Sequence, residues 1–160
     1  MSTYDTFDTL IRLLRDNGIS HRVLEHPPIR TVEEAVAAGF DIESMVKTVV
    51  FRTKGEPVRY FLCALRASDS ADYKKLSQAT GIKRDDLVRP APEEVERVLG
   101  FESGAVGPLA ITPQTSVLFD TATASLGEVH CGSGRTDRTL LVGIADLIRL
   151  PGSSVVTLAK

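Results

Sequence analysis

The run Ser44-Met45-Val46-Lys47-Thr48-Val49-Val50-Phe51 is apolar and β-branched almost throughout, with one lysine set into its start. A strand of this composition is buried on both faces, so its sheet needs a layer packed on each side. The ammonium then needs a reason, because lysine is among the side chains least often buried without a partner. A stem lying on apolar surface with its head in water is the plain explanation. The company of Lys47 points instead to chemistry: Thr48 beside it, His26-Pro27-Pro28 upstream, and a loop rich in glycine and proline downstream.

A second run of the same kind, residues 58–65, follows the turn Thr53-Lys54-Gly55-Glu56-Pro57, and the two predict a hairpin. Phe7, Leu10, Ile11, Leu13 and Leu14 recur at helical spacing over residues 5–16 and stop at Asn17-Gly18. Residues 19–26 read as a strand closed by two prolines, which cannot extend a central ladder. Thr31 and Glu34 have capping-box spacing, each able to satisfy the other's amide at the head of a short helix that ends at Gly39. Helices are expected over residues 69–80 and 92–99, with Pro92 in the first turn and Gly100 after the last. Short strands are expected at 87–88, 116–119 and 139–144, and a last helix at 145–150. Strands and helices do not alternate strictly, so the expected class is α+β rather than a doubly wound parallel sheet.

At 160 residues and 17.3 kDa the expectation is one domain over residues 1–160, with a core at about 5–150 and a tail, 151–160, without an assigned place. No apolar run approaches the roughly 20 residues of a membrane-spanning helix. Asp5 and Asp8 stand where a signal peptide would be basic, so a cytoplasmic protein without a membrane partner is expected. The net charge of −2 argues against a generally basic nucleic-acid binder. Its distribution is uneven: between Lys47 and Arg89 ten lysines and arginines face five acidic residues, so that segment carries +5 and the remainder −7. A basic middle of this size suits a local contact with phosphates or an ordinary solvated surface.

His21, His26 and His130 show no metal-ligand spacing, and no metal is expected. Gly132-x-Gly134 lacks the rest of a dinucleotide fingerprint, so no cofactor is expected either. Cys63 reads as core packing. His130-Cys131 invites a nucleophilic-thiol reading, but neighbours on a strand point apart, and a partly buried thiol is the alternative.

Lys47-Thr48 at the head of an apolar strand, the loop Gly104-Ala105-Val106-Gly107-Pro108, and the preceding His26-Pro27-Pro28 and Thr31-x-x-Glu34-Ala35 together resemble the YbaK and prolyl-tRNA-synthetase-associated editing-domain family over about residues 10–150. The resemblance implies an α+β fold around a mixed, curved, barrel-like sheet with surrounding helices. It implies a pocket with Lys47 on its floor and Gly104 to Pro108 on its rim, and hydrolysis of the aminoacyl ester of a wrongly charged tRNA. An activated ester mainly needs positioning, a nearby water or internal nucleophile, and stabilisation of an oxyanion. A lysine can hold the carbonyl, the ribose or the terminal phosphate, and glycines admit backbone amides where a Cβ would clash.

By the same resemblance Lys47, Gly104 and Pro108 are the candidate catalytic residues. Thr48 and Gly107 join them in binding substrate, His130 orients the tRNA end, Gly132 and Ser133 line the pocket, and Asp137 accepts from the substrate amino group. Met45 and Ile29 are candidate walls. The expected function is a freestanding deacylase acting in trans on cysteine, alanine, serine or threonine attached to tRNA(Pro). Its partners would be the acceptor end and a prolyl-tRNA synthetase or an elongation factor. A noncatalytic module binding tRNA ends, amino acids or a synthetase is the alternative.

Overall fold

The computed structural model describes residues 3–160. Helix α1 (Thr3–Asp16) ends at Gly18, whose φ of +65° suits glycine, and strand β1 (His21–Glu25) follows. Helix α2 (Val32–Ala37) is capped by Thr31, whose hydroxyl accepts from the Glu34 amide at 3.0 Å. The expected reciprocal bond is displaced: the Glu34 carboxylate accepts from the Arg30 amide at 3.4 Å, one residue before the cap.

A 3-10 turn (Ile42–Ser44) leads into β2 (Val46–Thr53), which pairs antiparallel with β3 (Tyr60–Arg66) as the expected hairpin. Helix α3 (Tyr73–Thr80) starts four residues later than the sequence reading placed it. Asp72 takes the capping position by accepting from the Lys74 and Lys75 amides, while Asp69 is engaged by Arg66 at 2.8 Å. Strand β4 (Leu87–Val88) and helix α4 (Pro92–Glu94), continued as a π-turn over Val95–Leu99, precede β5 (Thr115–Asp120). The last elements are α5 (Thr121–Ala124), β6 (Glu128–Gly132), β7 (Arg138–Gly143), α6 (Ile144–Ile148) and β8 (Ser153–Val156). The sequence reading identified neither α5, β6 nor β8.

The strands form two open sheets rather than one closed barrel, one in the order β1-β7-β6 and one in the order β4-β2-β3-β5-β8. A parallel bridge between Met45 and His130 joins them. The larger sheet is mixed: β2 pairs antiparallel with β3 and β4, whereas β5 runs parallel to β3 and to β8. Its inner face carries Val46, Val50, Leu62 and Phe119 against Leu10 and Leu14 of α1 and Leu140 and Val142 of β7. Its outer face carries Phe51, Phe61, Cys63 and Leu65 against Leu76 of α3 and Leu158. Both faces are packed against other elements, which explains why β2 and β3 read as unbroken apolar runs.

The tail without an assigned place is the fifth strand of this sheet. Asp120, 1% exposed, accepts from the Leu158 amide at 2.8 Å, the Ala159 amide at 2.9 Å and the Ala122 amide at 3.0 Å. Burial by itself raises this carboxyl, and the three amides more than offset it, so it sits below its ordinary range. A depressed folded-state pKa stabilises fully above the unfolded value of about 3.9 and is lost as pH falls through the folded value. Asp120→Ala is expected to cost about 3 kcal/mol in urea unfolding at pH 7. The gap from wild type should narrow once the pH is taken below about 4.

Candidate functional site

Strand β4 pairs with β2 only at Arg52 and Thr53, so among the described residues no strand pairs with the β2 edge over Val46 to Phe51. A cleft of about 340 Å³ runs along that edge. This is the size of a small-ligand site, which takes the end of a larger molecule rather than its body. Lys47 and Thr48 lie on the β2 wall, with Met45 just before them, and Ile29 and Phe40 come from the segments around α2. Gly104 and Gly132 close the far side. Alternation sends Thr48 to the inner face with Val46 and Val50, and Lys47 to the other parity.

The loop 102–108 is held by main chain. Gly134 donates to the Ala105 carbonyl at 2.8 Å and Glu102 donates to the Gly134 carbonyl at 3.0 Å. A Cβ on Gly104, whose φ is +86°, would run into the Arg30 main chain; one on Gly132 would meet Val106; one on Gly107 would lie 2.5 Å from the Gly132 carbonyl oxygen. These glycines therefore let three chain segments close around the cleft. Gly107 and Pro108 are buried behind the loop and do not line the cleft, although the sequence reading placed them at the site.

Ser133, fully buried, donates to the Arg138 carbonyl at 2.7 Å and pins the β6–β7 turn from outside the cleft. Asp137 also lies outside. It accepts from Arg135 Nε and Nη2, both at 3.0 Å, and sits 3.2 Å from Arg138. The Arg135 bonds are the first cause of its carboxyl lying below the usual range. Geometry thus gives Asp137 the work of an arginine anchor.

His130 lines the cleft. Its Nε2 faces the Asp41 carbonyl at 2.8 Å and must carry the proton, and Phe40 packs on the ring at 4.9 Å between centroids. His26 packs edge-on against the same phenyl ring. Cys131 points into the inner core, and burial pushes its thiol up to about 12, as it does for Cys63. Neither thiol is a nucleophile near neutral pH. Among the described residues no group of three or more His, Cys, Asp or Glu could hold a metal ion.

Five cations line the cleft, namely Arg30, Lys47, Arg89, Arg135 and Arg138, and no carboxylate does. Asp137 and Glu25 neutralise the last two. Among the described residues, Arg30, Lys47 and Arg89 form no ion pair. Arg30 and Arg89 were missed in the sequence, where single arginines in loops carry no signal. Glu94 braces the α4 wall by accepting from Tyr60 at 2.7 Å and Arg52 at 2.9 Å. Burial first, and then Glu94, raise the Tyr60 hydroxyl to about 12.

The fold and site define an α+β domain with a cleft lined by five cations and no carboxylate. The profile of the aminoacyl-tRNA editing domain family matches residues 26–150, and the chain belongs to that family. It is 27% identical over 158 residues to the multifunctional Ser/Thr-tRNA deacylase ProXp-y of Escherichia coli K12, covering 97% of this chain and 93% of that one. It is also 27% identical over 97 residues to the proline–tRNA ligase of Limosilactobacillus fermentum, covering 59% of this chain and 17% of the ligase. A solved structure described as a candidate trans-editing enzyme for prolyl tRNA synthetase superposes with a TM-score of 0.78, at 25% identity over 97% of each chain. The hypothetical protein APE2540 shares the fold with a TM-score of 0.82, at 21% identity over 95% of this chain and 99% of that one.

Gly104→Ala is expected to cost about 1–3 kcal/mol in urea unfolding, since the Arg30 main chain must give way. Gly55→Ala, with nothing within 4 Å of the added carbon, should stay within about 0.5 kcal/mol of wild type. The Thr48 hydroxyl is buried and has no hydrogen-bond partner among the described residues. Thr48→Val should therefore leave stability unchanged or raise it by about 1 kcal/mol in the same assay.

Proposed function

We propose that the chain is an aminoacyl-tRNA deacylase acting in trans, which hydrolyses the ester of a small amino acid, serine or threonine foremost, wrongly attached to tRNA(Pro). The observation that carries this reading is the meeting of three unpaired cations with an open strand edge in a cleft free of carboxylates. Phosphate and ester oxygens suit such a lining, and a free carboxylate would repel them. The deacylase name of the Escherichia coli relative, aligned over 93% of its length, supports serine and threonine among the small residues.

In this reading water attacks the ester carbonyl, the bond to the ribose oxygen breaks, and the proton ends on that oxygen, leaving a free amino acid and an intact 3′ end. Lys47 and main-chain amides facing the cleft hold the oxyanion as it forms. Arg30, seated on Gly104, flanks the terminal phosphate. His130 positions the approach of the tRNA end through the ring edge left free by its bond to Asp41. Ile29 and Met45 limit the room for the amino-acid side chain. Each methylene excluded is worth only about 1–3 kcal/mol, so discrimination against proline rests on fit rather than on charge.

The test is hydrolysis of Ser-, Thr-, Ala- and Cys-tRNA(Pro) beside Pro-tRNA(Pro). Wild type is expected to cleave one or more of the first four and spare the last. Lys47→Ala should lower turnover by about 100-fold or more while the protein remains folded by circular dichroism. Full activity in the folded variant would remove Lys47 from the reaction, and hydrolysis of no member by wild type would leave a binding module.

A further inference from the structure

The cations around the cleft are not equivalent, and their inequality gives it a direction. On the β7 side Arg135 and Arg138 are tied to Asp137 and Glu25. On the β4 side Arg89 makes no ion pair among the described residues, and it marks the start of a series. Its guanidinium lies 5.5 Å from the centre of the Phe51 ring. Phe51 meets Tyr73 edge-on at 5.4 Å, and the Arg84 guanidinium lies 4.3 Å over Tyr73. Among the described residues Arg84 likewise has no ion pair. Both arginines are exposed, with their heads held over the rings that close the outer core. Lys83, next to Arg84 in sequence, is exposed, as is Lys54, whose amide donates to the Asp86 carbonyl at 2.9 Å; among the described residues Asp85 and Asp86 reduce the local charge without an ion pair to either arginine.

From this arrangement we infer that the surface at the β4 edge of the larger sheet, around the exposed Arg84 and Arg89, is an RNA-binding track: Arg89 and Arg84 contact successive phosphates of the strand leading into the cleft, which leaves across the β4 edge and not over β7. Arginines resting on aromatic rings present their donors already oriented, which suits phosphate oxygens better than free lysines do. The paired cations at the opposite rim offer no net attraction to a polyanion, so the electrostatic gradient runs toward β4. The inference rests on the reading that the ligand is an aminoacyl-tRNA, and it adds the surface and residues outside the cleft that hold the nucleic acid.

The experiment measures binding rather than turnover, so the two readings fail separately. The probe is an uncharged, fluorescein-labelled RNA hairpin ending in a single-stranded 3′ CCA, titrated by anisotropy at several salt concentrations. Arg84→Ala with Arg89→Ala is expected to weaken binding about tenfold or more. The slope of log affinity against log salt should fall by about 1–2, as for one or two lost phosphate contacts. Arg12→Ala with Arg15→Ala, which removes the same charge from exposed positions on α1, should change affinity by less than about threefold. Should the alanine pair unfold, Arg84→Gln with Arg89→Gln keeps the stems over the rings and gives the same comparison. Equal losses in the two pairs, no loss in the first, or no binding by wild type would each overturn the track. Hydrolysis of mischarged tRNA by wild type, measured separately, decides the deacylase reading whichever way binding falls.

Discussion

The cleft exists because strand pairing along β2 stops short. An unpaired strand edge is a row of donors and acceptors that most proteins cover, charge or shorten. Here β4 covers two residues, and the rest of the edge faces a space closed by the α2 region, by β6 and by the 102–108 loop. The five cations and His130 that line the cleft are arranged around that gap. Lys47 stands on the strand that borders it, and the Met45–His130 bridge holds the second sheet against its mouth. Without the bridge the two sheets would share side chains alone, and side-chain packing specifies register less strictly than main-chain pairing does.

Around the cleft glycine acts through close approach. Gly104, Gly107 and Gly132 lie where segments touch main chain to main chain, and each would lose its neighbour to a single added carbon. The family loop is therefore the joint that seats Arg30 and the β6 terminus, and its proline is buried behind the joint. Residues that resemblance assigns to substrate can thus serve one step back. Ser133 and Asp137 follow the same logic, one pinning the turn and the other holding two arginines.

Charge is divided between cations that are spent and cations that are available. Among the described residues Arg52, Arg66, Arg135 and Arg138 pair with carboxylates, while Arg30, Lys47, Arg84 and Arg89 do not. A net charge of −2 hides this division. What matters for a polyanionic ligand is the local, unneutralised charge near the cleft, which formal counting along the chain only approximates.

The sequence by itself determined the hairpin, because two unbroken apolar runs separated by a turn admit little else. It also determined the caps at Thr31 and Gly100, which depend on neighbours a few residues away, and the place of Lys47 at the head of a buried strand. Strands β6 and β8 were invisible to it. Glu128-Val-His-Cys-Gly offers only two apolar side chains, and His130 is buried because the Asp41 carbonyl and Phe40 receive it across 89 residues. Ser153–Val156 becomes a strand because β5 lies beside it and Asp120 captures the amides that follow. The convergence of Arg30 and Arg89 on Lys47, and the retreat of Pro108, Ser133 and Asp137 from the cleft, belong to the tertiary structure alone. Local propensity and periodicity act over a turn or a strand, whereas these placements are set by contacts between segments far apart in the chain.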